Sequence, residues 1–246
     1  SGGVFRDIEG TARGAKTIAS TDIFCFANPD MNLTKLPAGC LPPTYLLKRV
    51  VKGVADYGNR MGIPTNNGSV HFHDDFRAKP TIIVGAYGIL PRKNKQKGEA
   101  DIGDIIIALG GKTGRDGIHG ATFSSAEMTD KTINVNSNAV QIGNALEEKR
   151  MFDALSEARK KNLIQAIQDC GAGGFSSAIG ELGEKKGVVI NLEKAPLKYQ
   201  GLSPWEIWIS ESQERMTLSV PKKNWKAFRE LMESRGVEST AIGEFT

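Results

Sequence analysis

Short apolar runs that alternate with helix-period segments limit this chain to folds that pack helices on sheets. Thr81 to Leu90 (TIIVGAYGIL) and Asp104 to Leu109 (DIIIAL) read as buried strands, with shorter ones over Asp22 to Phe26, Val188 to Leu192, Ile207 to Ile209 and Met216 to Val220. Runs this short, rich in β-branched and aromatic residues, suit a pleated surface better than a helix. Leu46, Leu47, Val50, Val51 and Val54 line one face of a helix over Tyr45 to Asn59, preceded by Pro42-Pro43. A second helix covers Trp225 to Ser234 and stops before Gly236, with a last strand near Val237 to Gly243. Asn66-Asn67-Gly68-Ser69 reads as a turn. This alternation predicts an α/β (α+β) fold with mixed sheets.

The 246 residues suffice for one large core or two modest ones. The basic run Pro91-Arg92-Lys93-Asn94-Lys95-Gln96-Lys97-Gly98 reads as a solvated linker, so we expect a partial N-terminal domain over 1–97 and a C-terminal domain over 98–246. That run holds no aromatic for base stacking and the net charge is only +4, which argues against nucleic acid as a partner. No apolar run approaches the ~20 residues that span a bilayer and no signal-peptide pattern opens the chain, so no membrane and a cytoplasmic location are expected. Cys25, Cys40 and Cys170 are odd in number and lack metal-type spacing, which predicts reduced thiols.

Two polar segments stand out. The first, Gln168 to Glu181, continues an apolar face set by Leu155, Ala158, Leu163, Ile164 and Ile167, and so predicts a helix, a turn at Gly171, Gly173 and Gly174, then a new helix with Ser176 or Ser177 as N-cap. Free N–H groups there, beside the Asp169 carboxylate, suit a phosphate with a metal; a helix–turn–helix with Asp169 as a cap reads equally well. The second, Ser210 to Met216, puts Glu211, Ser212 and Gln213 between two strand-like runs, either at a ligand-binding strand end or at an exposed hairpin tip.

Two further stretches invite chemistry. The loop Gly110 to Gly120 lacks the Gly-Lys-Ser/Thr spacing of a P-loop, yet its glycines and Thr113 could cradle a phosphate, with Arg115 adding charge; a plain glycine turn is the alternative. In His71-Phe72-His73-Asp74-Asp75, His71 and His73 would share one strand face and, with Asp74, could bind a transition metal, although a polar hairpin explains the composition too.

Gly2-Gly3-Val4-Phe5-Arg6-Asp7-Ile8 followed by Gly14-Ala15-Lys16-Thr17-Ile18-Ala19 resembles the two-part signature Gly-Gly-x-x-Arg-Asp-Ile and Gly-Ala-Arg-Pro-Ile-Ala of the formylglycinamide ribonucleotide amidotransferases, also called phosphoribosylformylglycinamidine synthases. The run at 56–65, Val140-Gln141-Ile142-Gly143 with Glu147-Glu148-Lys149, and both polar segments resemble that family in the same order. The resemblance implies a two-domain unit like aminoimidazole ribonucleotide synthetase. It also implies an ATP-dependent C–N ligase of purine synthesis that turns formylglycinamide ribonucleotide and glutamine-derived ammonia into formylglycinamidine ribonucleotide. ATP activates the amide oxygen as an iminophosphate, and ammonia displaces the phosphate. By motif match Arg6, Gln141, Glu211, Ser212 and Gln213 would contact the nucleotide substrate, while Asp7 and Asp169 would hold Mg²⁺. Expected partners are a glutaminase domain or subunit, the remaining half of the synthetase and, through the N-terminal domain, a second copy in a homodimer.

The sequence departs from the family in one respect. The Glu-Ser-His-Asn-His-Pro segment with the family's catalytic histidine is not in this chain, whose histidines are His71, His73 and His119. We therefore expect a truncated N-terminal domain, no catalytic residue of that motif, an incomplete ATP site and no activity from this piece alone. Two alternatives remain at this point: a structural, non-catalytic half of the same enzyme, or a sister synthetase such as aminoimidazole ribonucleotide or selenophosphate synthetase.

Overall fold

A computed structural model describes residues 1–118 and 140–246. In its N-terminal part, α1 (Gly2–Gly10) leads into β1 (Lys16–Phe26), α2 (Pro43–Met61), β2 (Thr65–Phe72) and β3 (Thr81–Ile89). β1 pairs with β2 in parallel and with β3 antiparallel, giving a mixed three-stranded sheet in the order β2-β1-β3. A parallel pair needs a long crossover, which α2 supplies. Pro43 sits in the first turn of α2, where its missing N–H costs nothing, and Gly62 ends the helix at φ 70.

The second part contains β4 (Ile105–Gly110), α3 (Ala145–Lys160), β5 (Ala166–Asp169), α4 (Phe175–Leu182), β6 (Val188–Ile190), α5 (Pro204–Ile209), β7 (Arg215–Val220), α6 (Trp225–Ser234) and β8 (Ser239–Phe245). Its strands form a five-stranded sheet, order β5-β7-β4-β8-β6, antiparallel at every described pairing. β4 is central and buried on both faces. Ile107 and Leu109 pack with Met151 and Leu155 of α3 and Phe228 and Met232 of α6. Ile106 and Ala108 point the other way, onto Phe175 and Ile179 of α4 and Ile207 of α5. Period-2 alternation under two helical layers explains why β4 reads as an unbroken apolar run.

Phe5 of α1 and Met61 of α2 belong to the same buried cluster as Met151 and Leu155 of α3, so one core runs through both parts. That continuity lets side chains from α1 and α2 reach the end of the second sheet.

Several sequence expectations require correction. Ile207 to Ile209 is helix, not strand: Pro204 opens α5, and the Ser203 N–H and hydroxyl both donate to Glu206 Oε2 at 2.8 Å. That capping box outweighs a three-residue apolar run. Asn66 to Ser69 lies inside β2, where a Cβ on Gly68 would stand 2.1 Å from the Asp22 carbonyl oxygen, so this glycine serves a close approach and not a turn. The helix expected to continue toward Asp169 stops at Lys160; Asn162 turns left-handed at φ 53 and Ala166 to Asp169 extend as β5. Gly174, not Ser176 or Ser177, is the N-cap of α4, and those two hydroxyls donate to the carbonyls of Gly173 and Ala172. β3 is not buried: Ile83, Tyr87 and Ile89 are exposed on alternate positions of one face.

Candidate functional site

Arg6 projects from α1 into the junction and is 1% exposed. Its Nη1 donates to Glu148 Oε2 of α3 and its Nη2 to Gln213 Oε1, each at 2.6 Å. Gln213 Nε2 in turn donates to Gln141 Oε1 at 2.7 Å, and Gln141 Nε2 to Glu211 Oε2 at 2.7 Å. Glu211 Oε1 accepts from the backbone N–H of Gly173, at 3.3 Å, in the turn after β5. Arg6, Gln213, Gln141 and Glu211 thus form one hydrogen-bonded chain drawn from distant stretches of sequence. A guanidinium, two amides and a carboxylate offer donors and acceptors for a multidentate ligand and contain no nucleophile.

Ser212 stands apart from that chain. Its side chain is fully buried, donates to Asp116 Oδ2 and accepts from Gly114 N at 2.8 Å, while its own N–H donates to Ser210 Oγ at 3.2 Å. It pins the 113–117 loop and does not face the Arg6 network. The phosphate-cradle expectation for that loop loses three of its N–H donors for a related reason. The N–H groups of Thr113, Gly114 and Arg115 already donate to Pro196 O, Ser212 Oγ and the Tyr199 hydroxyl. Thr113 Oγ1 accepts from Arg215 at 2.9 Å, and the Arg115 guanidinium is paired with Glu206 at 2.6 Å. His119 and Gly120, at the end of the loop, lie outside the described residues.

Asp7, one residue after Arg6, faces Asp169 at the end of β5. Burial, and then the charge of Asp169 and a hydrogen bond with it, hold the Asp7 carboxyl above its ordinary range. Gly10, on the next turn of α1, allows this approach: a Cβ there would lie 3.3 Å from Asp169 N. Among the described residues no group of three or more His, Cys, Asp and Glu side chains is arranged to hold a metal. Two facing carboxylates suit Mg²⁺, which usually takes only one or two protein carboxylates and fills its shell with water and phosphate oxygens.

The His71–His73–Asp74 cluster does not form. His71 lies on β2 with Nε2 2.9 Å from Ser69 Oγ, whereas His73 lies past the strand end, caps the turn at Asp74–Phe76 and sits 3.4 Å from Asp75.

Three residues of the site carried no role in the sequence. Glu148 is fully buried, and burial, only partly offset by Arg6, raises its carboxyl to about 7. Tyr57 of α2 donates to Glu214 Oε1 at 2.9 Å, and burial together with Glu148 and Glu214 pushes its phenol up. Glu214 adopts φ 57, an uncommon conformation for a residue with a Cβ. This left-handed step separates Gln213, which reaches Arg6, from Arg215, which is buried over the Phe175 ring at 4.5 Å and donates to Thr113 and Ser212 O. Glu148 and Tyr57 both lie inside family-like motifs, so the motifs were the available signal. A cleft of about 530 Å³ adjoins the network, lined by Gly110, Gly111, Lys112, Glu147, Lys198 and Gln213 among others.

Residues 2–90 match the AIR synthase related protein N-terminal domain, and residues 101–246 match the AIR synthase related protein C-terminal domain. The phosphoribosylformylglycinamidine synthase subunit PurL of Picrophilus torridus is 38% identical across 98% of this chain and 32% of its own length. Its counterpart from Methanobrevibacter smithii is 37% identical across 99% of this chain and 33% of its own. Among solved structures, T. maritima PurL complexed with FGAR superposes with a TM-score of 0.77 at 27% identity, over 99% of this chain and 38% of that one. E. coli HypE, a hydrogenase maturation protein, shares the fold with a TM-score of 0.71 at 19% identity. The chain spans about a third of the length of the curated relatives it matches.

Proposed function

This chain belongs to the AIR synthase related proteins, and on that footing we propose that it carries the substrate site of a phosphoribosylformylglycinamidine synthase. Such an enzyme is an ATP-dependent amidoligase of purine synthesis that converts formylglycinamide ribonucleotide to formylglycinamidine ribonucleotide. The observation that carries the reading is the hydrogen-bonded chain from Arg6 through Gln213 and Gln141 to Glu211, with the Asp7–Asp169 pair beside it. Support comes from PurL relatives and from the T. maritima PurL structures complexed with FGAR, ATP and AMPPCP.

In this reading Arg6, Gln141, Glu211 and Gln213 orient the nucleotide, and Ser212 acts through the loop it anchors. Asp7 and Asp169 would hold Mg²⁺, which when bound neutralises phosphate charge. Phosphoryl transfer to the amide oxygen is mostly positioning and charge stabilisation, so a buried, oriented guanidinium suits it better than a nucleophile. Arg6 is held with two of its nitrogens already bonded, so little reorganisation is needed as charge develops.

The remaining assignments belong to the same proposal. A glutaminase supplies ammonia, the domain boundary falls between 97 and 98, and the enzyme is cytoplasmic. The exposed face carrying Ile83, Tyr87 and Ile89 meets a second copy. Among the described residues no helix is long and apolar enough to cross a membrane. Calorimetric titration with formylglycinamide ribonucleotide tests the core of the reading. Saturable binding is expected, and Arg6→Ala and Gln213→Ala should each abolish it. A site indifferent to both substitutions would falsify the assignment.

A further inference from the structure

We infer that Glu148 is a positioning residue: it fixes the Arg6 guanidinium in the orientation that presents Nη2 to Gln213 and to the ligand. The inference rests on the substrate-site reading above and extends it to a residue that touches no ligand in that reading.

The geometry carries it. Arg6 and Glu148 side chains are 2% and 0% exposed, and their pairing is a single 2.6 Å contact between Nη1 and Oε2. Arg6 Nε and Glu148 Oε1 are both buried without a hydrogen-bond partner. A pair evolved only for stability would close the bidentate fork and satisfy these atoms, since an unpaired buried polar atom costs about 1–3 kcal/mol. Here the fork is turned so that Glu148 holds one terminal nitrogen and Gln213 the other. Without Glu148 the guanidinium would keep only the Gln213 bond, on a side chain that a ligand must also engage.

The support behind Glu148 is rigid. It lies in the first turn of α3, whose N-cap Asn144 accepts from Leu146 N at 3.2 Å and Glu147 N at 3.5 Å. Gly2 closes the other side: a Cβ there would stand 2.3 Å from the Tyr57 hydroxyl oxygen and 3.0 Å from Glu148 Oε2. The carboxylate is therefore set by a capped helix, a glycine and an aromatic ring before any ligand arrives. That is the support a binding group needs in order to be preorganised.

Glu148→Gln tests this in two independent readouts. The first needs no ligand: the Arg6 Nη nitrogens, followed by NMR, should be resolved and slowly rotating in the unsubstituted chain and averaged in E148Q. The second is calorimetry with formylglycinamide ribonucleotide, where E148Q should weaken binding by about tenfold or more at a temperature well below its own melting transition. Unchanged Arg6 signals in E148Q, or averaged signals with unchanged affinity, overturn the inference and leave the substrate site standing. Absence of binding by the unsubstituted chain, or indifference to Arg6→Ala, overturns the site reading and this inference with it. Should E148Q fail to fold, Glu148→Asp decides: it keeps the charge but withdraws the carboxylate by one methylene, and native signals with native affinity in that variant reject the role.

Discussion

Tyr57 donates its hydroxyl to Glu214 Oε1 at 2.9 Å, joining α2 of the N-terminal part to the left-handed residue that turns Gln213 and Arg215 in opposite directions. One phenol thus braces the bend on which the candidate site depends. A non-glycine residue at positive φ costs on the order of 1–3 kcal/mol and persists only when its surroundings hold it.

Tyr57→Phe should lower the unfolding free energy by roughly 1–2 kcal/mol, the expected loss when a buried acceptor is left unpaired. Urea denaturation checks the value. The ring still packs near Phe5, 6.4 Å away between centroids, so the far-ultraviolet circular dichroism should not change. No loss of stability would mean that the hydroxyl contributes nothing to the bend.

Gly174→Ala should be much more damaging. A Cβ would lie 1.9 Å from the Ser210 carbonyl oxygen, and the residue sits at φ 56. The turn after β5 and the segment that leaves α5 at Ser210 would have to separate. We expect a loss above about 2 kcal/mol, since strain and overpacking add. A variant as stable as the unsubstituted chain contradicts the close approach.

Much of the scaffold was legible in the sequence. The Pro43–Met61 and Trp225–Ser234 helices and the Ile105–Gly110 and Arg215–Val220 strands follow from apolar periodicity and their flanking proline or glycine signals. The errors arose where local and tertiary signals compete. Ile207-Trp208-Ile209 reads as strand until the Ser203–Glu206 cap is weighed, and Gly68 reads as a turn until a neighbouring strand is known to press on it. Within the site, resemblance pointed to Arg6, Gln141, Glu211 and Gln213, but their contact could not be read from spacing, because Arg6 and Gln213 lie 207 residues apart. Glu148, Tyr57 and Glu214 gained a role only through contacts across the two parts. Ser212 sits between Glu211 and Gln213 in sequence, yet its hydroxyl turns inward to Asp116 and Gly114, contacts that spacing could not reveal.

Acidity should act on stability through Glu148. Burial raises its folded carboxyl from 4.5 to about 7, with Arg6, Glu214, Tyr57 and the Ser1 amino group among the ionisable groups around it. Between these values the folded state binds more protons than the unfolded one, so stability falls as pH rises through that window. The fall attributable to this group is up to roughly 3 kcal/mol. Subtracting the urea-derived stability of E148Q from that of the unsubstituted chain, at pH 5 and at pH 8, isolates it. The difference should be larger at pH 5; the reverse order rejects the burial-driven shift.

The two carboxylates at the α1–β5 contact lead to a prediction in which removing a charge helps and then hurts. Asp7 and Asp169 face each other, and the charge of Asp169 contributes to the raised Asp7 carboxyl. With no cation present, two like charges oppose folding, so Asp169→Asn should raise the melting temperature in a chelator-treated sample. A divalent cation reverses the order, because it binds the folded pair of carboxylates and stabilises by mass action. Millimolar Mg²⁺ should therefore raise the melting temperature of the unsubstituted chain and leave Asp169→Asn and Asp7→Asn unmoved. Sodium at matched ionic strength separates site binding from general screening. If Mg²⁺ and sodium act alike on all three proteins, the pair is a strained contact and not a metal site. If Asp169→Asn is less stable than the unsubstituted chain even with chelator, the carboxylates are held by their shared proton and not opposed by charge.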